Sequence, residues 1–123
     1  KDAAAAGLGE LISSLNAGSS LYFLAIERLA LLQESMGKSE DAIKTYEKIT
    51  ENRSAFYRDA ATYELARIHH AQGRTDKARD LLTAAKQEFP TSTLGSSFDS
   101  LLKEMGGPKV DPAAEAKATD KAE

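Results

Sequence analysis

A six-residue phrase that occurs twice constrains this chain more than any other feature. Gly37-Lys38-Ser39-Glu40-Asp41-Ala42 returns as Gly73-Arg74-Thr75-Asp76-Lys77-Ala78, 36 positions later. Glycine takes the left-handed conformation that stops a helix. Ser39 or Thr75 is then expected to cap the next helix, and acidic residues occupy its first turn, where the helix dipole favours them. Each copy follows an apolar segment of helical period, Leu21 to Met36 and about Ala60 to Gln72. A fixed period of this size marks a solenoid of stacked helical units, because one unit cannot bury its apolar face alone.

The helices after each glycine are amphipathic. Ala42, Ile43, Tyr46 and Ile49 fall at helical spacing, as do Ala78, Leu81, Leu82 and Ala85. Ala42 and Ala78 hold the same place in the two units, where a small side chain lets two helices approach closely. Phe89-Pro90 ends the second unit, since proline forbids continuation. Toward the start, Leu8, Ile12 and Leu15 lie 34 positions before Ala42, Tyr46 and Ile49, so the N-terminal helix is expected to be the second half of a further repeat. After Pro90, Thr91 or Ser92 is expected to cap a last helix with the stripe Leu94, Phe98, Leu101, Leu102 and Met105, covering the open end of the stack. Gly106-Gly107-Pro108 closes it. Beyond, the chain turns to Ala, Lys, Glu, Asp and Pro, too poor in large apolar residues to offset ordering, and a disordered tail is expected. The predicted layout is an N-terminal helix over residues 1–20, repeats over 21–56 and 57–91, a capping helix over 92–107 and a tail over 108–123.

Leu29, Ala30, Gly37, Ala42 and Tyr46, followed by Leu65, Ala66, Gly73, Ala78, Leu82, Ala85 and Pro90, resemble the tetratricopeptide-repeat signature over roughly residues 23 to 92. The chain departs from the pattern in having Ile26 or Thr62 where a bulky aromatic is usual, and in two extra residues around Arg53-Ser54-Ala55-Phe56. The resemblance implies an all-α solenoid of antiparallel helix pairs with a C-terminal capping helix. It also implies a concave groove, lined by the first helix of each unit, that binds a peptide or a partner's helix. Carried over position by position, Leu24, Glu27, Leu31 and Glu34 of the first unit and Tyr63, Arg67 and His70 of the second would face that groove. Tyr63 and Arg67 lie one turn apart and are residue types enriched in binding hot spots. Arg67 would supply a charged hydrogen bond. Equally open is that Leu24 and Leu31 merely pack on the N-terminal helix. The family's carboxylate clamp is not expected, because it needs lysine and asparagine where Glu27 and Leu31 stand. The block Tyr57-Arg58-Asp59-Ala60-Ala61 with Leu65-Ala66-Arg67 further resembles bacterial membrane-anchored tetratricopeptide-like proteins. That likeness implies repeats facing the periplasm, tethered by an N-terminal anchor absent from this chain and assisting envelope protein assembly or translocation.

Other function classes find little support. A net charge of −3 with no basic cluster argues against nucleic acid. The absence of cysteine removes disulfides and thiolate chemistry. The longest apolar stretch, Leu21 to Leu32, is broken by Glu27 and Arg28 and does not insert into a membrane. Adjacent His69 and His70 point about 100° apart on a helix and cannot easily grip one metal, so they read as ordinary surface or groove histidines. Glu40, Asp41 and Asp76 are explained by their places at helix starts. Neither a nucleophile elbow nor a phosphate loop occurs. The short connections leave little room for an active site. The reading is therefore a non-catalytic protein-binding scaffold with no cofactor and no metal. The alternative is homo-oligomerisation, through the edge carrying Leu8, Ile12 and Leu15.

Overall fold

The computed structural model describes residues 2–16 and 18–106. Over these the chain forms α1 (Asp2–Ser14), α2 (Ser20–Ser35), α3 (Ser39–Thr50), α4 (Arg58–Ala71), α5 (Thr75–Glu88) and α6 (Gly95–Glu104), with no strand among the described residues. Each helix packs on the next, and α6 turns back to touch α4 as well as α5. This is the all-α helical repeat that the doubled phrase required.

The glycine stops are local and identical in both units. Gly37 has φ +75° and Gly73 φ +82°. The Lys38 N–H donates to the Gln33 carbonyl at 2.8 Å and the Gly37 N–H to the Glu34 carbonyl at 3.0 Å. One unit on, Arg74 donates to His69 at 2.8 Å and Gly73 to His70 at 3.0 Å. These paired bonds satisfy carbonyls that the helix end leaves open. The expected caps are corrected. Ser39 and Thr75 are the first helical residues, and the cap positions belong to Lys38 and Arg74, neither with a side-chain capping bond. The turn is so tight that the Lys38 and Arg74 carbonyls already accept the first intrahelical bonds, from Ala42 and Ala78. The side-chain cap falls elsewhere: Ser19 accepts from the Tyr22 N–H at 3.1 Å and starts α2.

Packing follows the same 36-residue beat. Ala30 and Ala42 in the first helix pair, and Ala66 and Ala78 in the second, have no solvent exposure, as close approach of helix backbones demands. Tyr46, Ile26, Ile49 and Ile68 centre one core, and Ala66, Leu82, Phe98 and Leu102 a second, with Leu81 touching both. Each fully buried large side chain contributes about 1.5–3 kcal/mol, so this continuous filling, rather than any one contact, holds the stack. Ile12 is the buried residue of α1, with Leu8 and Leu15 partly buried against the first core.

Two local features depart from the sequence reading. The last helix begins at Gly95, with Leu94 at its cap, and not at Thr91 or Ser92. Ser92 is engaged in the preceding turn instead: its hydroxyl donates to Asp59 Oδ2 at 2.6 Å and accepts the Leu94 N–H at 3.0 Å. The stripe itself is buried at Phe98, Leu101, Leu102 and Met105, and Gly106, at φ +91°, ends the helix. The two extra residues fall in the α3–α4 connection, where Tyr57 precedes α4 at φ 63°, a conformation a bulky residue adopts only under constraint. Its ring lies 5.0 Å from that of Phe23 and 6.4 Å from that of Phe56, which anchors the connection against α2. The expected tail over 108–123 lies outside the described residues.

Candidate protein-binding surface

Helix α2 is apolar on more than its core face. Tyr22, Ala25, Ile26, Leu29 and Ala30 point inward, as the helical period dictates. Leu21, Leu24 and Leu31 are left over on the opposite side, exposed by 52%, 52% and 44%. Single exposed leucines are ordinary; these three lie along one side of one helix. Arg28 and Glu27 interrupt the line, and neither joins an ion pair among the described residues. The alternative expectation, that Leu24 and Leu31 are covered by α1, does not hold: α1 packs on α2 but leaves both exposed.

The other carried-over positions are engaged within the chain. Arg67 on α4 reaches across to α2, donating through Nη2 to Glu34 Oε1 at 2.7 Å and through Nη1 to Glu34 Oε2 at 3.2 Å. Its Nε donates to Glu64 Oε2 at 2.9 Å. This fork joins the first helices of the two units, and the Glu34 hydrogen bonds lift the guanidinium above its usual range, so it stays charged. The guanidinium that the sequence offered to a partner is thus taken up by Glu34 and Glu64. Tyr63 is half-buried, its ring 6.3 Å from Phe98 of α6. His70 places Nδ1 3.1 Å from Thr75 Oγ1, so it braces the turn into α5. Of the seven carried-over positions, the structure leaves Leu24 and Leu31 exposed and Glu27 half-buried, while Glu34 and Arg67 bind each other across α2 and α4, Tyr63 lies against Phe98 and His70 against Thr75.

His69 requires a correction. It is not a surface histidine: it is 5% exposed, and Nδ1 has no partner. Burial, seconded by the charges of Arg74 and Lys77, pushes its pKa below the usual value. It lies in the floor of a crevice of about 300 Å³ on the other side of the stack, between α3 and α5, with Glu47, Glu51, Leu81 and Ala84 around it. Arg58 closes one end by donating to Glu88 at 2.6 Å. Sequence reading found neither this crevice nor the exposed aromatic pair Phe56 and Tyr57. The extra residues before α4 were the signal for the second; nothing in the periodicity signals the first.

Among the described residues no group of three histidine or carboxylate side chains is arranged to hold a metal ion. No described helix is long and apolar enough to cross a membrane. What the geometry defines is a stack of helical repeats with exposed leucines on α2, an exposed aromatic pair before α4 and a crevice between α3 and α5. The tetratricopeptide-repeat family model matches residues 27–93, more than half of the chain. The chain therefore belongs to the tetratricopeptide-repeat family, whose repeats generally mediate protein–protein interaction and typically serve as non-catalytic scaffolds. Comparison with curated proteins and with solved structures finds no match.

Proposed function

We propose that this chain is a non-catalytic scaffold that binds an apolar helix or extended segment of a protein partner along the outer face of α2. The observation that carries this is the line of Leu21, Leu24 and Leu31, each 44% exposed or more on a helix whose core face is already satisfied. Helix-in-groove recognition reads a partner through anchors at i, i+3, i+4 and i+7, and Leu24 and Leu31 are one such interval apart. Glu27 flanks them, and Glu34, held by Arg67, gives the site a rigid wall. The likeness of Tyr57-Arg58-Asp59-Ala60-Ala61 to membrane-anchored periplasmic proteins supports a role in envelope protein assembly or translocation.

Site-specific photocrosslinking in a native extract tests this, with the probe at Leu24 and a control at exposed Lys44 on α3. A product formed from Leu24, absent from Lys44 and lost on Leu31→Asp, supports the α2 face. Equal products from both positions, or products indifferent to Leu31→Asp, refute it.

A further inference from the structure

We propose that the crevice between α3 and α5 binds an extended segment of a protein partner that carries an arginine and, four residues away, a carboxylate. The crevice lies on the other side of the stack from the leucines of α2, and its occupation does not depend on the reading of that face.

The floor of the crevice is one face of α4, with Arg58, Leu65 and His69 in line along it, and α3 and α5 form the walls. The three helices share a level at one end. There Arg58 donates to the Thr50 carbonyl at the end of α3 and to Glu88 at the end of α5. A rise of about 1.5 Å per residue sets the height of the other side chains above that level. Glu51 stands near it and Glu47 about 6 Å higher on the α3 wall. Leu65 and Leu81 face each other at about 10 Å, and His69 and Lys77 at about 16 Å.

The charged groups along this line sort by sign. Arg58 is already engaged by Glu88. Glu47 and Glu51, one turn apart, have no ion-pair partner among the described residues, and neither has Lys77 at the far end. Beside Lys77, the His69 side chain is 5% exposed and its Nδ1 has no hydrogen-bond partner. Positive charge prevails there, because Arg74 and Lys77 act on the imidazole more strongly than Glu40 does. Between the two ends the lining is apolar, with Leu65, Leu81 and Ala84. A complementary ligand is cationic at one end, apolar in the middle and anionic at the other, over about 13 Å.

An extended peptide has this form. Residues i, i+2 and i+4 of a strand face one side, and i to i+4 spans about 13 Å. Arginine at i presents a planar guanidinium with donors enough for both Glu47 and Glu51. An apolar side chain at i+2 covers Leu65 and Leu81, and a carboxylate at i+4 meets Lys77. The segment's backbone offers an N–H and a carbonyl at each residue, so it supplies the partner His69 lacks whichever ring nitrogen holds the proton. A metal ion is a poorer occupant, since no group of three ligands is gathered among the described residues. A simple amine would leave Lys77 and His69 unanswered.

The test uses the whole chain and the peptide acetyl-Arg-Ser-Leu-Ser-Asp-amide, followed by proton–nitrogen correlation spectra. So short a ligand is expected to bind with Kd on the order of 1 mM. Amide shifts are expected at Glu47 to Glu51, Leu65 to His69 and Lys77 to Glu88, and the ring nitrogens of His69 should move with them. Glu47→Gln combined with Glu51→Gln should weaken binding about tenfold, and Lys77→Glu by a similar factor. A peptide with lysine in place of its aspartate should recover affinity for Lys77→Glu. Leu31→Asp, on α2, should change nothing. The three crevice substitutions lie outside the core, and far-UV circular dichroism checks that each variant is folded. No shifts at millimolar peptide, a silent His69 ring, binding indifferent to the paired glutamines or no recovery by the lysine peptide would each overturn the proposal. Shifts gathered on α2 and abolished by Leu31→Asp would also overturn it, while leaving the α2 reading in place.

Discussion

Tyr46 offers a direct energetic test of the core. Its side chain is fully buried at the centre of the first core, and its hydroxyl has no hydrogen-bond partner. Burial, then the negative charges of Glu64 and Glu27, drive its pKa well above the ordinary tyrosine value, as expected for a phenol with no room to ionise. A hydroxyl taken from water without compensation costs about 1–3 kcal/mol on mutational scales. Tyr46→Phe removes that cost while keeping the ring, so no cavity opens to offset the gain. The variant is therefore expected to be more stable by about 1–2 kcal/mol. For a domain of this size, each kcal/mol shifts the midpoint by about 4–8 °C. Urea unfolding followed by circular dichroism would show a higher midpoint at unchanged slope, and thermal unfolding a rise of about 5–15 °C. A lower midpoint would refute the reasoning, because it would mean that the hydroxyl makes a bond, direct or through water, that stabilises the native state.

Three other expectations follow from the same contacts. Ala78→Leu inserts a larger side chain where two helices meet at zero exposure and should cost about 1–3 kcal/mol; an unchanged urea midpoint would contradict the close approach of α4 and α5. At Gly73 an added Cβ would meet nothing within 4 Å, so the penalty lies wholly in φ +82°. Gly73→Ala should cost about 1–2 kcal/mol, and Gly73→Asn distinctly less, since asparagine tolerates that region; equal thermal midpoints for the two would refute this. His69 binds a proton less readily when folded than its usual value of 6.5 implies. Its contribution to stability is complete above that value and falls as the pH drops toward the folded pKa, because the unfolded chain is protonated first. Urea midpoints at about pH 7.5 and about pH 5.5 should therefore diverge less in His69→Gln than in the parent, and an identical dependence would remove His69 as the cause.

Helix number, stops and the buried faces were legible in the sequence because they depend on local physics. A glycine at positive φ, an alanine repeated at the same phase and an apolar residue every three or four positions leave a mark in one dimension. Gly37, Gly73, Ala42, Ala78 and the Phe98–Met105 stripe all carried such marks, and all are where the pattern requires. Cap positions were misread at Ser39, Thr75 and Ser92 because a hydroxyl near a helix start has several possible hydrogen-bond partners. Which one it meets depends on the turn before it and, for Ser92, on Asp59 from another helix. The candidate site was legible only as a face. That α2 has surplus leucines could be read from its sequence, but whether α1 would cover them could not. Nor could the sequence say that Arg67 would turn toward Glu34 and Glu64 rather than outward, or that Tyr63 would lie against Phe98 and His69 sink between α3 and α5. These outcomes rest largely on contacts between different helices, such as Arg67 with Glu34 and Tyr63 with Phe98, and such contacts exist only once the helices are stacked. Periodicity determined which sides of each helix are buried; the angle and spacing of the stacked helices decided which of the remaining side chains are left for a partner.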